Sequence, residues 1–359
     1  MNALPPHPAP RALFGQTLGQ LRDLAAEEGL RPFAARQIAE WLYHRLAPSI
    51  AAMTNLPAAA RARLSARWTV GRSDPVRGVA SADGTRKYLF AAGGAGRHVE
   101  TAWIPEPDRS TLCVSTQIGC KMGCAFCATA RQGFQGQLSA GEILNQYASL
   151  PERARVTNLV YMGMGEPLDN LEAVLTSLEI LTSDWGFGMS PRRITVSTVG
   201  LIPAMREYLA RSRCHLALSL HSPFDEERRQ WMPVQKAYPV SAVLEELRRY
   251  PLERQRRIMI EYICFDGVND TPRHVREMAR ALNGIRARVN LMRFHPVPGL
   301  PLRGSGEDRL RAFQEGLRGK GIIATIRRSR GLDIAAACGL LSTLEPERVG
   351  PAPGEPAAG

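Results

Sequence analysis

Seven short β-rich runs separated by helical stretches constrain this chain more than any other feature: Leu112 to Thr116, Asn158 to Met162, Ile194 to Thr198, His215 to Leu220, Ile258 to Ile263, Val289 to Phe294 and Ile322 to Arg327. A strand that returns to its sheet through a helix runs parallel to its predecessor, with a right-handed crossover. Ser139-x-x-Glu142 ahead of Ile143, Leu144 and Tyr147 is a capping box that opens one of those helices. Six strand–helix units, counted from the first run, predict an α/β fold built on a partial (β/α)6 barrel. Functional residues of β/α barrels gather at the C-terminal ends of the strands. The polar and glycine-rich outliers fall there: a cysteine loop after the first strand, Gly163-Met164-Gly165-Glu166 after the second, Ser197 closing the third, Ser219-Leu220-His221 closing the fourth, and His295 after the sixth.

The flanks read differently. Leu18, Leu21, Leu24 and Ala25, then Ile38, Trp41, Leu42 and Leu46, then Leu56 to Trp68 repeat at helical spacing, so residues 13–75 form a small helical module with basic residues outward. Within 76–110, Arg86 to Phe90 and His98 to Ile104 predict a β-hairpin turning through Gly93-Gly94-Ala95-Gly96. The core is then 111–345, and the proline-rich 1–12 and the Pro/Gly/Ala tail 346–359 are expected to be disordered. No run is long and apolar enough to span a bilayer, and seven cysteines, four of them between 113 and 127, do not resemble a secreted disulfide framework. A reducing, cytoplasmic setting without membrane attachment is the expectation.

The net charge is +12, and arginines cluster at Arg61, Arg63, Arg67 and Arg72 and at Arg248, Arg249, Arg254, Arg256 and Arg257 around Tyr250. Such clusters predict a phosphate-backbone partner, since docking on nucleic acid releases counterions. An arginine-rich composition without a target is the plainer alternative.

The cysteine loop reads Cys120-Lys121-Met122-Gly123-Cys124-Ala125-Phe126-Cys127. Three thiolates hold a four-iron cluster and leave one iron open, whereas an electron-transfer cluster takes four cysteines. A structural zinc site is the competing reading, but zinc wants four ligands and no second Cys or His pair lies nearby. The spacing, with an aromatic before the last cysteine, resembles the signature of radical S-adenosylmethionine (SAM) enzymes. There the open iron chelates SAM, and one electron splits it into methionine and a 5′-deoxyadenosyl radical. In that context the glycines of Gly163-Met164-Gly165-Glu166 let backbone approach SAM, and Glu166 accepts from its ammonium. Ser197, Ser219 and His221 bond the ribose or carboxylate. Cys113 and Cys338 would each read alone as a small buried hydrophobe, and Cys214 and Cys264 read as structural.

Glu100-Thr101, Leu112-Cys113, the cluster loop continuing through Ala128-Thr129-Ala130-Arg131-Gln132-Gly133-Phe134, Gly163 to Leu168, Ser219-Leu220-His221, Gly267-Val268-Asn269-Asp270 and Asp333 to Gly339 together resemble the RlmN family of dual-specificity RNA adenine-C2 methyltransferases. The likeness runs from about Leu18 to Leu341. It implies one [4Fe-4S] cluster on Cys120, Cys124 and Cys127 and two SAM molecules per turnover. Cys338 takes a methyl group from the first, and the radical from the second activates that methyl for addition to adenine. Cys113 resolves the adduct through a transient disulfide with Cys338, and Glu100 is the proton acceptor. SAM contacts carry over to Gly165, Glu166, Ser197, Ser219, Leu220, His221 and His295. The family commonly has asparagine where this chain has His295, and an imidazole tautomer donates or accepts at a given nitrogen, not both. The implied substrates are one adenosine in the peptidyl transferase centre of 23S rRNA and position 37 of tRNA, with an electron donor such as flavodoxin and a monomeric enzyme. Three alternatives stay open: a Cfr-like enzyme acting on carbon 8, toward which Ser190-Pro191-Arg192-Arg193 and Leu220-His221-Ser222-Pro223 lean, a metal-stabilised RNA-binding protein without catalysis, and a radical SAM enzyme acting on another substrate.

Overall fold

The computed structural model describes residues 11–94, 96–250, 257–297 and 300–343. The expected disorder of 1–10 and 346–359, Ala95 of the hairpin turn, and Arg254 and Arg256 lie outside the described residues. In the N-terminal module, α1 (Leu18–Glu27) starts from a capping box between Thr17 and Gln20 and buries Leu18, Leu21, Leu24 and Ala25, as its periodicity predicts. Next come α2 (Ala34–Ala39), which runs into a π-helical turn at Glu40–His44, and α3 (Ala58–Arg67). Arg11 and Ala12, expected in the disordered tail, instead pair in parallel with Trp68 and Thr69 and tie the two ends of the module. Part of its basic cluster is spent internally: Glu28 meets both Arg63 and Arg67, and Arg72 donates to the Leu46 carbonyl.

One ten-stranded sheet follows, with its strands in chain order. They are β1 (Arg77–Ala80), β2 (Arg86–Ala91), β3 (His98–Pro105), β4 (Ser110–Cys113), β5 (Asn158–Tyr161), β6 (Ile194–Thr198), β7 (His215–Ser219), β8 (Ile258–Cys264), β9 (Ala287–Arg293) and β10 (Ala324–Ile326). From β1 to β4 the pairing is antiparallel, and from β4 to β10 it is parallel. The seven predicted strands are thus the parallel barrel section, and the predicted hairpin (β2, β3) is continuous with it rather than a separate appendage. The crossovers carry α4 (Ala140–Ala148), α5 (Leu171–Thr182), α6 (Ile202–Arg211), α7 (Asp225–Trp231), α8 (Val240–Arg249), α9 (Pro272–Ala281) and α10 (Glu307–Arg318). The α4 capping box at Ser139 and Glu142 is formed.

The first parallel strand stops three residues earlier than its hydropathy suggests. Beyond Cys113 the backbone finds other partners: Ser115 N donates to Gln146 Oε1 at 2.8 Å and Thr116 N to the Met164 carbonyl at 2.9 Å. Alternate strand positions bury Leu159, Tyr161, Val196, Leu216 and Leu218. The positions between them put Thr195, Ser197, Glu261 and Asn290 on the walls of two interior cavities. A polar barrel interior holds ligands where an apolar one would be packed solid. Among the described residues, no helix is long and apolar enough to cross a membrane.

Candidate active site

The cavity at the C-terminal ends of the parallel strands is bordered by Cys120, Cys124, Cys127 and Cys338, and also by Gly163, Gly165, Glu166, Ser197, Ser219 and His221. Residues far apart in sequence are therefore brought to one space by the strand ends. All seven cysteines are free thiols. Burial pushes the Cys120 thiol up to about 12 and raises Cys124 as well, the neighbouring thiol charges adding to the effect. A cationic metal centre reverses that penalty, because a coordinated thiol is deprotonated outright. Among the described residues no three Cys, His, Asp or Glu side chains are gathered for a single ion. The three thiols border a space, and their donor chemistry fits a cluster in which each cysteine holds a different iron.

The glycine loop after β5 is shaped by close approach. A Cβ on Gly163 would lie 2.7 Å from both Ser115 Oγ and the Val114 carbonyl oxygen, and Gly165, at φ +100°, would place one 2.5 Å from Gln117 Cβ. Glu166 is buried; its Oε1 accepts from Leu168 N at 3.1 Å and its Oε2 from Val199 N at 3.0 Å. Burial raises its pKa to about 7 against those bonds. Each carboxylate oxygen carries a second lone pair, so Glu166 retains acceptor capacity toward the cavity.

Ser197 and Ser219 stand side by side, 3.4 Å between hydroxyl oxygens. His221 has a positive φ of 56°, and its Nδ1 accepts from Ile263 N at 3.1 Å. Burial lowers its pKa to about 3, so the ring is neutral and carries its proton on Nε2. Asn269, quoted above only within a motif, donates to the His221 carbonyl at 2.7 Å and the Ile263 carbonyl at 2.8 Å, and accepts from Phe265 N at 2.7 Å. It pins the end of β7 to the end of β8.

Two predicted SAM contacts are placed elsewhere. Leu220 is fully buried and does not border the cavity; its N–H donates to the Glu261 carbonyl and its carbonyl accepts from Arg228. His295 is half-buried outside the cavity lining, with Nε2 3.0 Å from Ser329 Oγ.

The segment bearing Cys338 is a strap fastened at both ends. At one end Asp333 accepts from Ser81 Oγ at 2.6 Å and from Ala82 N at 3.1 Å, and Gly331 N donates to Asp83 at 2.9 Å. At the other end Ala128 N, just after Cys127, donates to the Gly339 carbonyl at 2.7 Å. Thr129 Oγ1 donates to the Leu341 carbonyl, and Gln132 bonds Ser342 and Thr343. Cys338 is exposed to the cavity but surrounded by protein, which raises its thiol pKa against the pull of Arg327. Cys113 closes β4, fully buried, and its thiol is raised by burial and then by the charge of Cys338. Glu100 lies on β3 outside the cavity lining. Its carboxylate pairs with Lys87 Nζ at 2.9 Å and accepts from Ser342 N at 2.9 Å, and burial raises its pKa while Lys87 opposes the shift.

Sequence reading missed Arg228 altogether. Within Glu226-Glu227-Arg228-Arg229 it resembles a solvated charge run, yet it is fully buried and donates to the carbonyls of Val199, Ser219 and Leu220 and to Gln235 Oε1. Glu261 was also missed, although a carboxylate inside the apolar run Met259-Ile260-Glu261-Tyr262 is a visible signal.

The chain resembles known proteins over most of its length. The Radical SAM superfamily model matches residues 114–282, and that of the ribosomal RNA large subunit methyltransferase N-terminal domain matches residues 12–70. The chain is 52% identical over 335 residues to a probable dual-specificity RNA methyltransferase RlmN of Porphyromonas gingivalis, covering 93% of this chain and 98% of that protein. It is 42% identical over 329 residues to the dual-specificity RNA methyltransferase RlmN of Syntrophobacter fumaroxidans, covering 90% of this chain and 96% of the relative. A crystal structure of a radical SAM methyltransferase from Sphaerobacter thermophilus superposes with a TM-score of 0.86 at 42% identity, covering 92% of this chain and 99% of the other.

Proposed function

Because the chain belongs to the RlmN family of radical SAM RNA methyltransferases, we propose that it methylates carbon 2 of adenosine in 23S rRNA, in the peptidyl transferase centre, and at position 37 of tRNA. The observation that carries this reading is the strap: it is hydrogen-bonded to the helix that follows Cys127 and presents Cys338 to the cavity bordered by Cys120, Cys124 and Cys127. When bound there, a [4Fe-4S] cluster and SAM supply a methyl group and a carbon-centred radical, which an electron-poor ring carbon requires because it does not attack a sulfonium.

The chain's own residues divide the remaining work. Cys338 carries the methyl group as S-methylcysteine, and its raised thiol pKa means that a proton must leave before sulfur acts as a nucleophile. Glu166, Ser197, Ser219 and the neutral His221 offer acceptors and one ring N–H for SAM, with Gly165 giving backbone access. Glu100, whose carboxyl already favours protonation through burial, takes the proton lost from the adenine carbon, with Lys87 steadying the charged form before transfer. Cys113, as thiolate, then attacks the Cys338 sulfur: the S–S bond forms as the bond from sulfur to the methylene carbon breaks. That carbon keeps the electron pair and takes a proton to become the methyl group of the released base, and an external dithiol reduces the transient disulfide before the next turnover. Two SAM molecules are consumed per turnover, and a flavodoxin-type donor supplies the electron in the cytoplasm, to a monomeric enzyme.

The test is anaerobic reconstitution with methyl-labelled SAM, an rRNA fragment and tRNA, followed by nucleoside mass spectrometry. The expected product is 2-methyladenosine; 8-methyladenosine would move the enzyme to the carbon-8 chemistry. Cys338→Ala protein is expected to carry no protein-bound label, and unchanged labelling sinks the relay.

A further inference from the structure

A second cavity of 670 Å³, rich in arginine, opens at the N-terminal ends of the parallel strands and reaches into the barrel interior, where Met162 and Glu261 also border the Cys338 cavity. Arg192 and Arg193 immediately precede β6, Arg257 precedes β8, Arg286 precedes β9, Arg288 lies on β9, and Arg327 follows β10; all six border this cavity. β8 runs seven residues from this mouth to the Cys338 side, so the two ends lie about 20 Å apart at ~3.3 Å per residue.

Charge at this mouth is balanced only in part among the described lining residues, Glu261 facing the charge of Arg327. Glu261 is the carboxylate in the lining, and it already accepts from Asn290 Nδ2 at 2.8 Å. Arg109, a seventh arginine here, is held by Glu106 at 2.8 Å. Among the described residues the other six have no carboxylate within ion-pair distance. Arg288 Nε is shielded from solvent with no hydrogen-bond partner. Other arginines of the chain do meet carboxylates, among them Arg45 with Glu40, Arg86 with Glu152, Arg211 with Glu172 and Arg248 with Glu245. Like charges collected in one pit repel one another, and an orphaned buried donor is costly, unless an anion meets them.

We propose that this mouth is an oligophosphate-binding site, in which the guanidinium forks grip phosphate oxygens. Two sources share that chemistry, the phosphodiester backbone of an RNA strand and a free oligophosphate or nucleotide. The site stands on the arrangement of arginines; Arg327 alone among them also acts on the Cys338 thiol, and the test leaves Arg327 unchanged.

Inorganic tripolyphosphate titrated calorimetrically into the full-length, cluster-loaded protein tests it. Binding is expected to weaken steeply with salt. Arg192→Gln and Arg286→Gln, at exposed positions, are each expected to weaken it about tenfold. Arg318→Gln, on α10 and paired with Glu315, is expected to leave it unchanged. Absence of binding at low salt, or wild-type affinity in both cavity variants, overturns the proposal; melting curves without anion verify that the variants are folded. A short single-stranded RNA then separates the sources. Displacement of tripolyphosphate, with the same loss in both variants, assigns the site to an RNA backbone, and failure to displace assigns it to a free oligophosphate.

Discussion

Gln132→Met isolates the fastening of the Cys338 strap, because methionine conserves volume while removing every hydrogen bond the side chain makes. Gln132 Nε2 donates to Thr343 Oγ1, and its Oε1 accepts from Thr343 N at 3.0 Å and Ser342 Oγ at 3.2 Å. At ~1 kcal/mol for each of three partly exposed bonds, discounted because water recovers some of them, the substitution weakens closure by about 2 kcal/mol. That raises the open population roughly thirtyfold. The penalty is local, since the contacts to Asp333 and the Ala128–Gly339 bond remain. Hydrogen exchange with mass readout reports strap amides 337–343 separately from strands β5 to β8. The expected result is faster exchange in the strap by about that factor, unchanged strand protection, and a slower methyl transfer to Cys338. Unchanged strap protection would refute the fastening, and equal acceleration in the strands would show that Gln132 supports the whole fold instead.

Glu166 gives a pH signature. Its folded pKa of about 7 lies above the ordinary carboxylate value, so it favours the folded state while protonated. That stabilisation is complete below pH ~4.3 and is lost as pH rises through about 7, a change of roughly 4 kcal/mol at most. Without SAM, Glu166→Gln is expected to flatten the fall in unfolding free energy across this window, and an unchanged profile refutes the assignment. Asn269→Ala removes three buried bonds and is expected to cost about 4 kcal/mol in urea unfolding, with His221 released from its place; a loss below ~1 kcal/mol contradicts the pinning role.

The strands and the loops that end them were legible because period and turn chemistry are local. Cys120, Cys124, Cys127, Gly165, Glu166, Ser197, Ser219 and His221 reach one cavity as the strand-end rule demands. What stayed hidden depends on partners distant in sequence. Arg228 is buried because the carbonyl ends of β6 and β7 need a donor between them, which no window around residue 228 reveals. The pairing of Arg11 and Ala12 with Trp68 and Thr69, and the grip of Ser81 on Asp333, are likewise set by tertiary approach. The positive charge was visible, but its address was not. Arg63 and Arg67 meet Glu28, whereas Arg192, Arg193, Arg257 and Arg286 stand just before strands and border the arginine-rich cavity.

Sheet order and chain order coincide in this protein, which has a bearing on assembly. Each strand that leaves the ribosome finds its neighbour already made, so the barrel is able to grow by one edge at a time, without waiting for a distant partner. The strap is the exception. Its anchor at Ser81 was synthesised some 250 residues before Asp333, and its other anchor follows Cys127. The loop of Cys120, Cys124 and Cys127 is therefore complete early in synthesis, and Cys338 is seated last, once both ends of the sheet are in place to hold it.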